Sequence, residues 1–138
     1  MSRRSHHRPA AVPRPQRGLV RRFRRAAASA PRGVTRKLAL KRAALRDCLR
    51  RCVYCAQSLE LDAATIDHVQ PLSRGGADDV GNLVVACSPC NRLKGDLLPL
   101  QFFARHPWAG LNFMRYARTV HRALKRDARR AVSLSYAA

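Results

Sequence analysis

Two CxxC pairs, Cys52/Cys55 and Cys87/Cys90, constrain this chain more than anything else in it. Four thiolates at that spacing can close around one ion in the tetrahedral geometry zinc prefers. An iron–sulfur cluster is the alternative occupant of four sulfurs. The pairs are separated by 31 residues, whereas a simple zinc ribbon needs only ~15–20. The staple therefore closes a loop around something instead of knotting a small finger. Inside that loop lies Asp67-His68, an oxygen ligand beside a group that takes a proton near neutral pH. A fifth cysteine, Cys48, sits one helical turn before Cys52. It reads either as a helix-face residue packing inward or as a substitute ligand.

A staple also suits the size of the chain. Its 138 residues allow one domain, and 46% of them are hydrophobic. Many of these are alanines in the Arg-rich ends, so the core is small and gains from a structural metal. CxxC spacing without a secretory signal favours metal over disulfides, and a reducing cytosol is the expected compartment. The Arg- and Ser-rich N-terminus leaves a transit peptide formally open, although Pro9, Pro13, Pro15 and Pro31 argue against one long amphipathic helix there.

The formal net charge is +20, unevenly distributed. Residues 1–51 carry +16, residues 52–100 carry −3 and residues 101–138 carry +7. A mildly acidic cysteine segment is thus flanked by two basic arms. Such arms point to a polyanionic partner, first of all nucleic acid, bound with steep salt dependence. An anionic membrane surface fits less well, because the arms have no long apolar face. No run of ~18 apolar residues is present to cross a bilayer.

Along the chain, residues 1–33 read as a disordered basic arm, rich in Pro, Arg, Ser, His and Ala. Thr35 is a plausible helix N-cap, and Leu38, Leu45 and Leu49 follow at helical spacing to about Arg50. Residues 65–69 and 82–86 read as short strands, separated by Pro71 and a loop over residues 73–79. Ser88 to Lys94 reads as a short helix capped by Gly95. Pro99 opens another that runs to His106. A longer amphipathic helix is expected from Leu111 to about Val132, with Leu111, Met114, Ala117, Val120 or His121, Leu124 and Ala128 as its buried stripe. Trp108 is expected to plug the core between the last two helices. His6, His7, His106 and His121 read as surface or packing residues.

The order of these residues resembles the HNH endonuclease family. The match runs through Cys52-x-x-Cys55, Ile66-Asp67-His68-Val69-x-Pro71-Leu72-Ser73-x-Gly75-Gly76, Asn82-Leu83-Val84 and Cys87-x-x-Cys90-Asn91-x-x-Lys94-Gly95, over residues 50–98. The resemblance implies an α+β fold. Its centre would be a small ββα-metal core with two zinc knuckles, flanked by an N-terminal helix and C-terminal helices. It divides the chain into a basic arm (1–33), a zinc-stapled nuclease domain (34–110) and a basic amphipathic helix (111–138).

The same resemblance implies roles. His68 is the general base, and Asp67 and Asn91 hold a catalytic divalent cation. Asn82 fixes the loop that orients His68, although by itself it could be a turn residue. Asn91 stands where the family name has its second histidine. Oxygen ligands there favour Mg²⁺ or Mn²⁺, while Cys52, Cys55, Cys87 and Cys90 hold structural Zn²⁺. Arg74 and Lys94 are candidate phosphate contacts; Arg74 reads equally as a solvated loop residue. The implied activity is metal-dependent hydrolysis of phosphodiester bonds in DNA. The competing reading is a non-catalytic zinc module that binds nucleic acid through its arms.

Overall fold

The computed structural model describes residues 34–137. The basic arm expected over residues 1–33 lies outside them. Helix α1 spans Val34–Asp47. It ends through Leu49 and Arg50, both in the left-handed region with φ of 57° and 55°, a reversal usually given to glycine. That reversal delivers the chain to the first cysteine knuckle. A third left-handed residue, Ala56 (φ 65°), closes the knuckle, with its amide donating to the Cys52 carbonyl at 2.9 Å.

Strands β1 (Thr65–His68) and β2 (Leu83–Ala86) pair antiparallel, with Thr65 opposite Ala86 and His68 opposite Leu83. The expected strands are present, each one residue shorter. β2 is buried along its whole length, which suits its uniformly apolar sequence. It leads directly into the second knuckle and helix α2 (Ser88–Lys94). The amide of Val53 donates to the Val85 carbonyl at 3.1 Å, so the first knuckle is sewn to β2. Strand, strand and helix form the expected ββα unit within an α+β fold.

Three further helices complete the domain: α3 (Pro99–Arg105), α4 (Pro107–Tyr116) and α5 (Arg122–Ala137). Pro99 and Pro107 each occupy the first turn, where a missing amide proton costs nothing. The long helix expected over 111–132 is instead two helices broken at residues 117–121, and the expected boundary at residue 111 falls inside α4. The break lets α5 fold back and bury Leu124, Ala128, Ala131 and Val132. A continuous helix would carry that stripe away from the core. Thr119-Val120, both β-branched, is also a weak place to continue a helix.

The C-terminal helices and the first knuckle share an aromatic cluster. Tyr54 meets Phe102 edge-on at 5.1 Å between centroids, and Phe103 meets Phe113 at 4.9 Å, both within the range of favourable aromatic contacts. Asn112 adds a hydrogen bond, donating from Nδ2 to the Tyr54 carbonyl at 2.7 Å. Trp108 does not plug this core. It is 43% exposed and lies edge-on to His106, because the three phenylalanines and Tyr54 already fill the space.

Candidate active site

The four cysteines of the two knuckles converge. Their sulfurs all lie within 4.8 Å of one another, and Cys55 Sγ and Cys87 Sγ are 3.8 Å apart. A tetrahedron with Zn–S bonds of ~2.3 Å has edges of about 3.8 Å, so the cluster fits a zinc ion. All are free thiols. Cys48 is buried outside this set, as the inward-packing reading expects. Burial pushes its thiol up to about 11, a protonated group packing as a small hydrophobe.

The segment that the staple closes forms an open cleft of about 340 Å³, and Asp67, His68 and Asn91 all line it. Successive strand residues face opposite ways. His68, however, is the last residue of β1, so the chain is already turning. Asp67 points inward and is 6% exposed. Its Oδ2 accepts from the Tyr54 hydroxyl at 2.5 Å, and its Oδ1 accepts from the Lys94 ammonium at 3.2 Å. Burial raises the Asp67 carboxyl above its ordinary range against the opposing pull of Lys94 and Tyr54. Burial, joined by the Asp67 charge, likewise holds the Tyr54 phenol well above its usual value.

Lys94, a candidate phosphate contact in the sequence, is held inside the domain. It is 1% exposed, and its ammonium also donates to the His68 carbonyl at 3.0 Å. One buried cation thus ties Asp67 and His68 to α2. Arg74, the other candidate phosphate contact, is exposed in the loop. Asn91, at the second position of the CN dipeptide, donates from Nδ2 to Thr65 Oγ1 at 3.1 Å. Among the described residues no hydrogen-bond donor to its Oδ1 is found.

Asn82 is 2% exposed and clasps the loop with three hydrogen bonds. Its Oδ1 accepts from the Gln70 amide at 2.8 Å, and its Nδ2 donates to the Gln70 and Ala77 carbonyls at 2.9 and 2.8 Å. Glycine is obligatory in this turn at residue 76, where a Cβ would lie 1.9 Å from the Gln70 carbonyl oxygen. Gly81 admits another neighbour: a Cβ there would strike the His121 ring at 2.3 Å. The His121 amide donates to the Gly81 carbonyl at 2.8 Å, and His121 Nε2 lies 3.1 Å from Asp79 Oδ1.

His68 has a partner the sequence did not reveal. Its Nε2 lies 3.0 Å from Asp78 Oδ1. The hydrogen bond to His68, then the charges of His68 and Arg36, hold the exposed Asp78 carboxyl below its usual range. Tyr54, Asp78 and Thr65 are the site residues that sequence reasoning missed. Only Tyr54 carried a signal, a hydroxyl placed between the two cysteines of the first CxxC pair.

Residues 52–97 match the family model described as HNH endonuclease. This stretch is an HNH domain. The HNH domain spans both knuckles, both strands, the loop and α2. No curated protein matches the chain. Among solved structures, the crystal structure of the Type II-C Cas9 enzyme from Actinomyces naeslundii matches with a TM-score of 0.54 and 20% identity over 86% of this chain. Streptococcus thermophilus Cas9 in complex with the GGAA PAM gives a TM-score of 0.53 and 22% identity over 67% of this chain. The chain spans 12% and 10% of those proteins. The likeness is one of fold: the HNH domain and its neighbouring helices have counterparts inside much larger proteins.

Proposed function

We propose that the protein is a metal-dependent endonuclease that hydrolyses phosphodiester bonds in DNA. The observation that carries this reading is the convergence of Asp67, His68 and Asn91 on one open cleft of the HNH domain. A module that only bound DNA would need none of the three there. The donor set fits a hard cation. The Asp67 carboxylate retains lone pairs beyond those used by Tyr54 and Lys94, and Asn91 offers an amide oxygen. Mg²⁺ characteristically takes one or two such oxygens and fills its remaining positions with water and substrate phosphate. A divalent ion held by Asp67 and Asn91 would supply positive charge to the phosphoryl oxygens and to the leaving 3′-oxygen.

The remaining chemistry belongs to the chain. Neutral His68 takes the proton of the attacking water. Lys94 and Tyr54 hold Asp67 at the floor of the cleft. Asn82 fixes the loop above it, and Arg74 is free to meet a phosphate. The four-cysteine cluster carries structural zinc, not the reaction. In this reading residues 34–110 carry the nuclease unit and residues 111–138 a basic segment packed on it. The net charge of +20 favours a polyanion, and five free cysteines suit a reducing cytosol.

The test is nicking of supercoiled plasmid with Mg²⁺ or Mn²⁺. Wild type is expected to relax the plasmid, and His68→Ala to lose the activity with its zinc content unchanged. Equal nicking by both proteins would sink the reading.

A further inference from the structure

We infer that Asp78 is a positioning residue for His68, fixing the imidazole so that its proton sits on Nε2 and its lone pair on Nδ1. The inference rests on the nuclease reading for its catalytic meaning and on geometry for everything else. His68 Nε2 lies 3.0 Å from Asp78 Oδ1. An ionised carboxylate only accepts hydrogen bonds, so the nitrogen facing it must carry the hydrogen. In the neutral ring the other nitrogen is then the acceptor. Nδ1 is the atom that can take a proton from water.

The arrangement around Asp78 argues that this contact is built. Asp78 itself sits on an exposed loop, but both of its neighbours are tied down. Asn82 Nδ2 holds the Ala77 carbonyl at 2.8 Å on one side. His121 holds Asp79 at 3.1 Å on the other, with Gly81 packed against its ring. The far oxygen of Asp78 faces the Arg36 guanidinium at 3.9 Å, a cation that favours the ionised carboxylate. Arg36, Asp78 and His68 thus form a line from α1 to the cleft. It repeats the general logic of a base oriented by a third group. It also gives Asn82 a route to His68, through the carbonyl next to Asp78.

Nitrogen-15 NMR of protein labelled at histidine reads the tautomer directly. Wild type should show the neutral His68 ring protonated at Nε2, with that N–H protected from solvent exchange. Asp78→Ala should lose the protection. It should also lower kcat for plasmid nicking about 10–100-fold, the usual cost of removing a group that orients a ligand or base, with KM nearly unchanged. Asp78→Glu, which keeps the carboxylate, should recover part of the loss. A proton on Nδ1 in wild type would overturn the inference, whatever the variants do. So would an unchanged His68 signal in Asp78→Ala. The spectrum reads the contact whether or not the protein cleaves DNA. An inactive protein with the expected spectrum therefore counts against the nuclease reading alone.

Discussion

Lys94 and Asp67 form a buried ion pair, Nζ to Oδ1 at 3.2 Å, with no side-chain exposure at the lysine. Removing one partner of such a pair strands the other in a low dielectric, typically at a cost of about 3–5 kcal/mol. Lys94→Met should therefore lower stability by that order in chemical denaturation, whether or not DNA is present. Were Lys94 a phosphate contact, the same variant would keep its stability and change only the salt dependence of DNA binding.

Asp67→Ala would leave the Tyr54 hydroxyl without its acceptor and the buried Lys94 ammonium with the His68 carbonyl but no counter-charge, so it confounds metal loss with unfolding. Asn91→Ala is the cleaner variant. Thr65 Oγ1 keeps its bond to the Ala86 carbonyl at 2.8 Å, so the fold should tolerate the change to within about 1 kcal/mol. Zinc content by elemental analysis should be that of wild type, and Mg²⁺-dependent nicking should fall at least tenfold.

Zinc removal should act on the whole domain. Thiolate-bound zinc contributes folding energy outright. A mild chelator of Mg²⁺ should stop nicking and leave the circular dichroism unchanged. A chelator strong enough to strip zinc should unfold the ββα unit. Pulse alkylation read by mass spectrometry should find Cys48 unreactive in the zinc-loaded protein, because it is buried and its thiol is pushed up to about 11.

Helix α5 exposes Arg122, Arg126 and Arg129 in register, at spacings of four and three residues. If that ridge meets DNA, each phosphate contact adds ~0.9 to the slope of log K against log salt. Arg126→Glu together with Arg129→Glu should weaken binding and flatten the slope by up to about two, without changing the melting temperature. An unchanged slope would remove α5 from the DNA interface.

The parts of this molecule that depend on local chemistry were legible in the sequence. The CxxC pairs, the two short strands and the helix from Ser88 to Lys94 each follow from spacing, β-branching and a Gly cap. What stayed hidden depends on tertiary neighbours. Lys94 looks like any surface lysine until the fold turns it onto Asp67. Trp108 looks like a core residue until Phe102, Phe103 and Phe113 take the space. The periodicity from Leu111 to Ala128 runs unbroken through residues 117–121, yet α4 buries Ala109, Gly110 and Phe113 instead and leaves Leu111 exposed, so only Ala117, Val120, Leu124 and Ala128 of the expected stripe face the core. Asp78 and Asp79 read as loop filler, and only the closed turn brings each to its histidine.

Tyr54 stands between two cysteines of the four-sulfur cluster, and its hydroxyl reaches the Asp67 carboxylate. A newly made chain that has not yet captured zinc has no fixed knuckle. It then has no fixed Tyr54 and no floor for the cleft. Closing the cysteine cluster and building the floor of the cleft are one event in such a protein.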